Sequence, residues 1–344
     1  MPSNSKKNFI SIAKAIGIIL MVVGHSGCPV FIGRFLYLFH MPLFFVCSGF
    51  FFKEITDRPT LFNYYLKKIK GLYLPYIKWS VLFLLFHNVF HSINIIDSYL
   101  YKPEDYIRQF ARLVVMADYE LLIRPFWFIK ELLLASIVVA TISLFRSRIL
   151  PKLSIELLLA ITLIISILAK TIPTIPLLGD FSLLLFCITY YYSGVLLHKY
   201  LDYIPFTYSL LIATFLTILL GSFLFKGNID MRFTTIHNIF LYYLLSLIGI
   251  LMILCASKKL EKHSNSSFLY YIGNHTMPIL ALNLLALKIG NLIKIWFYNM
   301  PIEKLSSYTV IFDNNISFWL IYTLIGVTIP LLMHYIYNRI VIYK

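Results

Sequence analysis

Apolar segments of about twenty residues recur along this chain, separated by short polar stretches. A helix of that length crosses the hydrocarbon core of a bilayer. Over 344 residues, 60% are hydrophobic and 13% charged, and the mean hydropathy is +0.81. The apolar runs are continuous rather than alternating, and backbone polar groups in a bilayer must be satisfied within each span, so helices are favoured over a β-barrel. We therefore expect an all-α, polytopic membrane helical bundle.

About ten spans can be placed, in a single integral-membrane domain that covers residues 1–344. They are about 9–28, 34–53, 71–92, 125–145, 153–170, 180–199, 205–225, 236–257, 267–292 and 315–337. Alternate loops, such as the one with Lys67, Lys68 and Lys70, carry the larger share of basic residues. Basic loops stay in the cytoplasm, so the pattern predicts a protein of the cell (inner) membrane with both termini cytoplasmic.

The longest loop, about 93–124, then faces outward, and we expect a short interfacial helix around Tyr106–Met116. The net charge of +15 fits the positive-inside rule and an anionic substrate. We expect no nucleic acid partner, because no soluble domain carries a basic–aromatic stripe. The four cysteines form no CxxC pair, so neither a disulfide framework nor a zinc site is expected. Because Lys14 interrupts the first apolar stretch, we interpret it as a permanent span rather than a cleaved signal.

Lys14 and His25 lie eleven residues apart in the first span. Eleven helical residues turn through roughly 1100°, about 20° beyond three full circles, and rise about 16 Å. The two side chains therefore share one face of a helix, where ionisable groups are costly. His25 can act as a general base, and Lys14 can meet a phosphate that enters from the cytoplasm. The alternative is structural: His25 ends the helix at the interface, and Lys14 snorkels.

The second span contains His40, then Pro42, which should kink the helix, and Ser48-Gly49, which allows close approach of a helix or ligand. By itself this is also a packing motif. The following loop contains Lys67, Lys68 and Lys70, which suit either ligand phosphates or lipid headgroups.

The fourth span begins with an aromatic cluster that includes Trp127, and Glu131 follows one turn later. Such clusters commonly anchor a helix at the membrane interface, whereas Glu131 can face the bundle interior and orient a basic group. His87 and His91 are spaced i, i+4, as metal ligands can be, but no HExxH pattern accompanies them and we expect no metal site.

Taken in order, these segments resemble the integral-membrane acyltransferase 3 family, which includes bacterial sugar and polysaccharide O-acetyltransferases. The matching elements are Lys14 to His25, His40 to Phe45, Ser48 to Phe50, Lys67 with Lys70, Leu74-Pro75-Tyr76, Trp127-Phe128 and Tyr271 to Pro278. Lysines replace the commoner arginines, which keeps the charge but loses the bidentate fork. Asn283 stands where such proteins often have histidine, and we assign no catalytic role there. The chain resembles the compact, single-domain members.

The resemblance implies a membrane O-acyltransferase that uses acetyl-CoA, or another acyl-CoA, as co-substrate and a carbohydrate hydroxyl as acceptor, with no permanently bound cofactor. It implies that His25 is catalytic, either as a base or through an acetyl-histidine. The substrate-binding candidates are Lys14, His40, Ser48, Lys67, Lys70, Trp127 and Glu131. The alternative is a transporter or flippase of lipid-linked glycans with no chemistry. A lipid-linked-sugar glycosyltransferase is disfavoured, because such enzymes generally need an acidic residue in the first outer loop. Residues 26–33, which form that loop here, contain none.

Overall fold

The computed structural model describes residues 3–169, 181–225, 229–232, 238–262, 266–312 and 318–342, and these ranges contain helices and turns but no β-strand. The expected all-helical class is confirmed. The α-helices are α1 Ser3–His25, α2 Val30–Tyr37, α3 His40–Phe50, α4 Arg58–Lys68, α5 Leu74–Leu85, α6 His87–Ser92, α7 Pro103–Val114, α8 Trp127–Ile149, α9 Ile155–Leu168, α10 Phe181–Tyr200, α11 Tyr208–Leu224, α12 Ile239–Leu260, α13 Ser266–Asn274, α14 Thr276–Tyr298 and α15 Phe318–Ile342.

Six helical segments of the described chain are long and apolar enough to cross a membrane. They are Asn8–His25, Val30–Phe50, Leu121–Ile149, Ile239–Leu260, Thr276–Tyr298 and Phe318–Ile340. A helical membrane protein is therefore supported, but a count of about ten spans is not. The predicted spans 71–92, 153–170, 180–199 and 205–225 contain helices that are not in this group. Residues 170, 180, 236–237 and 315–317 of the predicted spans lie outside the described part of the chain.

Two predicted spans are broken rather than continuous. The second is interrupted at Leu38-Phe39, so that Pro42 becomes the third residue of α3. The ninth is interrupted at His275, and Pro278 becomes the third residue of α14. The first four N–H groups of a helix have no partner within it, so a proline there removes no hydrogen bond. Pro42 therefore does not kink a continuous helix, as was expected. Instead, a new helix, α3, begins two residues before it.

A five-residue π-helical turn, Ile69–Tyr73, joins α4 to α5. Pro75 follows it, and a proline clashes with the carbonyl four residues earlier in an α-helix. The wider turn, in which the Leu74 N–H reaches the Ile69 carbonyl, accommodates the ring.

The helices form two compact units, each built from separate stretches of chain. The first consists of residues 1–14, 34–75 and 128–264, as far as these are described. In it, α3 packs against α10 and α12, α9 packs against α10, and α11 against α12. The second consists of the described parts of 15–33, 76–127 and 265–344, where α14 packs against α15 and the short turns 121–126 and 302–306.

The short helix predicted around Tyr106–Met116 is present as α7, Pro103–Val114. It buries Gln109 and Leu113 and exposes Ile107 and Phe110, which are 71% and 47% exposed. One face of this helix is thus apolar and unburied, as expected of a helix that lies in a membrane interface.

Glycines set the distance between α3 and α10. A Cβ atom at Gly49 would lie 1.9 Å from the Tyr191 carbonyl oxygen, and one at Gly194 would lie 2.1 Å from the Val46 carbonyl oxygen. Both obstacles are backbone atoms of a packed helix, which cannot rotate away as a side chain can.

We predict that Gly49→Ala destabilises the protein by about 1–3 kcal/mol, the usual cost of overpacking. Thermal unfolding of the detergent-purified protein measures the effect. Gly71→Ala is the control, because no atom lies within 4 Å of a Cβ built there. Equal unfolding midpoints for the two variants would contradict the close helix contact.

Candidate active site

His25 is the last residue of α1, which is unbroken from Ser3 through Gly24. Lys14 and His25 therefore lie on one continuous helix, and their functional pairing stays a prediction. Directly after it, the Ser26 hydroxyl donates to the Val23 carbonyl over 2.7 Å, and Gly27 takes φ +74°. A left-handed residue of this kind turns the chain away from the helix at little steric cost when it is glycine. The imidazole is left half-buried at the helix end.

Asn283 of α14 determines how His25 is oriented. Its Nδ2 donates to the carbonyls of Ile279 at 3.0 Å and Leu280 at 2.8 Å. Its Oδ1 therefore faces the ring and lies 3.2 Å from His25 Nδ1. An amide oxygen only accepts hydrogen bonds, so Nδ1 carries the proton, and in the neutral ring the lone pair is on Nε2. Asn283 thus selects the tautomer in which Nε2 can accept a proton.

The side chains around this contact are closely packed within the second unit. A Cβ at Gly326 of α15 would lie 2.6 Å from Val22 Cγ1 and 3.3 Å from Leu287. Asn283 itself is completely buried. The end of α1 is therefore held against α14 and α15, and the imidazole has a fixed position relative to the Asn283 amide.

The polar residues of α14 also hold the segment 302–312. Lys288 and Lys294, which are 3% and 2% exposed, donate to the carbonyls of Leu305 at 3.1 Å and Ile311 at 2.8 Å. A lysine ammonium donates three hydrogen bonds and accepts none, so backbone carbonyls suit it in an apolar surrounding. This segment includes Val310, which would be 2.9 Å from a Cβ at Gly27. The turn after His25 is thus supported by the lysine-bound segment.

In the first unit, the structure brings Lys68 and Ser48 together. Lys68 Nζ donates to Ser48 Oγ over 3.3 Å and lies 5.3 and 5.9 Å from the ring centroids of Tyr64 and Tyr191. The two phenol oxygens are 2.8 Å apart. Burial, and secondarily the charge of Lys67, lowers the pKa of Lys68 to about 8. A polarised, partly desolvated ammonium with a hydroxyl beside it can bind an anionic group.

Lys67 and Lys70, the basic pair predicted from the sequence to bind the donor, are both exposed to solvent. Adjacent residues in a helix point about 100° apart, so Lys67 and Lys68 face in different directions. Tyr64 and Lys68 are spaced i, i+4, which places them on one face. This spacing can be read from the sequence, but it does not show which face of α4 meets Ser48.

Lys14 is half-buried and has Cys47 of α3 as an electrostatic neighbour within the first unit. His40 is 3% exposed, its Nδ1 donates to the Leu36 carbonyl over 2.7 Å, and its ring packs edge-on against Tyr37 at 4.9 Å. These contacts hold His40 at the break between α2 and α3. Its substrate-binding role remains a prediction.

Trp127 is the first residue of α8 and is half-buried, whereas Glu131 is 5% exposed. The burial of Glu131 agrees with the expectation that it faces inward, but the binding roles of both residues remain predictions. No group of three or more potential metal ligands among His, Cys, Asp and Glu occurs in the described ranges.

A family model described as an acyltransferase domain matches residues 7–335, nearly the whole chain. The chain belongs to the acyltransferase 3 family. Neither a curated protein nor a solved structure matches it significantly. This acyltransferase is therefore a member of a membrane enzyme family, as its ordered motifs predicted.

Sequence reasoning missed the contact of Asn283 with His25 in the candidate site. The residue is 258 positions from His25, and no local pattern connects them. The only signal was that related proteins often have another polar residue, histidine, at this position. The amide neither gains nor loses a proton near neutral pH, so Asn283 is a positioning residue for His25.

We predict that Asn283→Leu changes the tautomer of His25, because the oxygen that accepts from Nδ1 is lost. The ¹⁵N NMR spectrum of histidine-labelled protein, with His25→Gln for assignment, should show a protonated Nδ1 in the parent protein and mixed tautomers in the variant. Leu285→Ala, in the same helix, controls for disturbance of α14. A parent His25 protonated only at Nε2 would contradict the geometry.

Proposed function

We propose that this protein transfers an acetyl group from cytoplasmic acetyl-CoA to a hydroxyl group of a cell-surface or lipid-linked carbohydrate. Family membership supports acyl transfer by a membrane protein; the donor and the acceptor are inferred. The observation that carries the proposal is the hydrogen bond that holds His25 Nδ1 against Asn283 and directs the lone pair to Nε2. Such a group is what attack by a sugar hydroxyl on a thioester requires.

In the proposed reaction, His25 Nε2 accepts the proton of the sugar hydroxyl as its oxygen attacks the thioester carbonyl carbon. The C–S bond breaks, and the imidazolium returns the proton to the thiolate of CoA, so that the products are the acetyl ester and free CoA. Positioning of both substrates supplies much of the acceleration. An acetyl-histidine would be formed if Nε2 attacked the thioester first.

Lysines supply the binding site for the CoA phosphates in this proposal. Lys68, with Ser48 beside it, binds one phosphate directly, and Lys14 binds deeper along α1. The exposed Lys67 and Lys70 attract the anionic donor at longer range, an effect that salt screens. The basic character of this loop also supports its placement in the cytoplasm.

For the acceptor, we propose that Trp127 stacks on a sugar ring. We also propose that His40 and Ser48 line the path of the donor and that Glu131 orients a basic group. Aromatic rings present a flat apolar face with a polar edge, which suits a pyranose. We further propose that the remaining predicted segments also cross the inner membrane, which gives ten crossings with both termini cytoplasmic. The whole chain then acts as one catalytic domain within the bilayer.

We predict that His25→Ala and His25→Gln lower acetyl transfer at least roughly 100-fold, the low end of what general base catalysis contributes. The assay follows [¹⁴C]acetyl transfer from acetyl-CoA to glycan in membranes that contain equal amounts of folded protein. His198→Gln is the matched control, since that ring bonds the Phe50 carbonyl at 2.8 Å and has no proposed catalytic role. Full transfer by either His25 variant would exclude the assignment.

We also predict that acetyl-CoA binding weakens as the pH rises through about 8, because Lys68 then loses its charge. Above that pKa, the Kd should rise by up to roughly tenfold per pH unit, the limit for one linked proton. In Lys68→Arg the guanidinium stays charged, so binding should vary less between pH 7.5 and 9.5. Lys67→Ala should keep the pH dependence of the parent protein. A parent Kd independent of pH would argue against a phosphate contact at Lys68.

A further inference from the structure

A second histidine lies in a hydrogen-bonded cluster that the proposed transfer does not use. His87, at the start of α6, places Nδ1 2.7 Å from Glu120 Oε2. The side chains are 1% and 4% exposed. A carboxylate accepts from Nδ1–H, so this contact fixes the ring and stabilises an imidazolium.

The opposite nitrogen of the same ring faces a serine. Ser98 Oγ lies 2.9 Å from His87 Nε2 and 3.1 Å from the carbonyl oxygen of Tyr99. Nε2 is also 3.1 Å from that carbonyl. In the neutral ring, the serine hydroxyl donates to Nε2. Once the ring is protonated, Nε2–H donates to the Tyr99 carbonyl, which therefore stabilises the state formed when the serine loses its proton.

Two further contacts preorganise the cluster. The ring of Tyr101 stacks on His87 with centroids 3.4 Å apart and planes at 10°. The Asn88 side chain accepts from the Tyr101 N–H at 2.7 Å and donates to the Tyr101 carbonyl at 2.9 Å. The loop that contains Ser98 is thus bound to α6 on both sides, while Ser98 itself remains half-exposed.

A hydroxyl within hydrogen-bond reach of a histidine, which is in turn oriented by a carboxylate, is the arrangement that activates a serine nucleophile. We propose that Ser98, His87 and Glu120 form a second acyl-handling site, which takes small O-acyl esters such as acetylated carbohydrates. This site lies entirely within the second unit and is independent of His25 and of acyl-CoA.

In the step proposed here, Ser98 Oγ attacks the ester carbonyl carbon while its proton passes to His87 Nε2. The tetrahedral intermediate expels the alcohol oxygen, which takes the proton from His87, and an acyl ester remains on Ser98. Water, or another hydroxyl, then attacks this ester with His87 again as base, releasing the acid or a new ester and restoring Ser98. Glu120 keeps its charge throughout and offsets that of the imidazolium.

The same contacts argue against the metal interpretation of His87 and His91. Both ring nitrogens of His87 already have partners in Glu120 and Ser98. Of the two histidines, His87 is therefore held within this cluster, and His91 lies one helical turn away.

The test uses the full-length protein in detergent, without any acyl-CoA, and a fluorophosphonate probe that reacts with activated serines. Peptide mass spectrometry should locate the adduct on Ser98, and the protein should hydrolyse p-nitrophenyl acetate. Ser98→Ala should lose both signals. Ser92→Ala is the matched control, because that hydroxyl donates to the Asn88 carbonyl over 2.8 Å and lies outside the cluster.

Glu120→Gln keeps the shape of the carboxylate but not its charge, and should slow labelling at least tenfold. Its thermal unfolding midpoint shows whether the variant is folded. A merely structural cluster would leave Ser98 unlabelled in the folded parent protein, and that result would overturn the proposal. Labelling of equal rate in the parent protein and in folded Glu120→Gln would overturn it as well. Neither result bears on acetyl transfer at His25, which is measured separately.

Discussion

Polar groups buried among apolar helices must find partners inside the protein, and this constraint organises the second unit. Helix α14 carries Asn283, Lys288, Asn291 and Lys294, all of them buried. Leaving any of them unsatisfied in an apolar surrounding is costly. Asn283 is satisfied by its own helix and by His25, and the lysines are satisfied by carbonyls of the segment 302–312.

Helix α14 therefore fixes the positions of both His25, the candidate base, and the segment 302–312 next to it. Asn291 Oδ1 accepts from the Tyr322 hydroxyl at 2.7 Å and from the Ile311 N–H at 3.1 Å, which ties α15 and the segment to the same helix face. The polar residues of α14 therefore act by holding neighbouring segments in place through hydrogen bonds. Replacing them by apolar residues would keep the helix but release the segment next to the turn at Gly27.

Local chemistry explains why the helices, and the placement of Lys14 and His25 on one of them, could be predicted from the sequence. Both depend on residues within about three turns of one another, for which helix geometry is known in advance. The helix breaks ahead of Pro42 and Pro278 were harder to predict. A proline restricts the residue before it, but this restriction is compatible with either a kink or a new helix. Packing against other segments decides between a kink and a new helix, and the sequence of one segment does not show that packing.

The parts that escaped prediction depend on contacts between distant segments. Lys68 could not be separated from Lys67 and Lys70 without knowing which face of α4 meets Ser48. The cluster of His87 and Ser98 joins α6 to the loop after it, and Glu120 adds a third position far along the chain. Serine and glutamate are common in exposed loops, so neither residue type marks a site without its neighbours.

The partner of Nδ1 distinguishes the chemistry open to the two histidines. Glu120 is a carboxylate and can stabilise a charged ring, which suits a histidine that must hold a proton while an acyl-serine forms. Asn283 is a neutral amide and cannot take a proton from His25. No proton can therefore leave His25 through Asn283, and in the proposed transfer Nε2 both receives the proton of the attacking hydroxyl and returns it. Under that proposal, the acceptor oxygen and the departing sulfur both come within hydrogen-bond distance of the same nitrogen, which restricts how the two proposed substrates can be arranged in the transfer step.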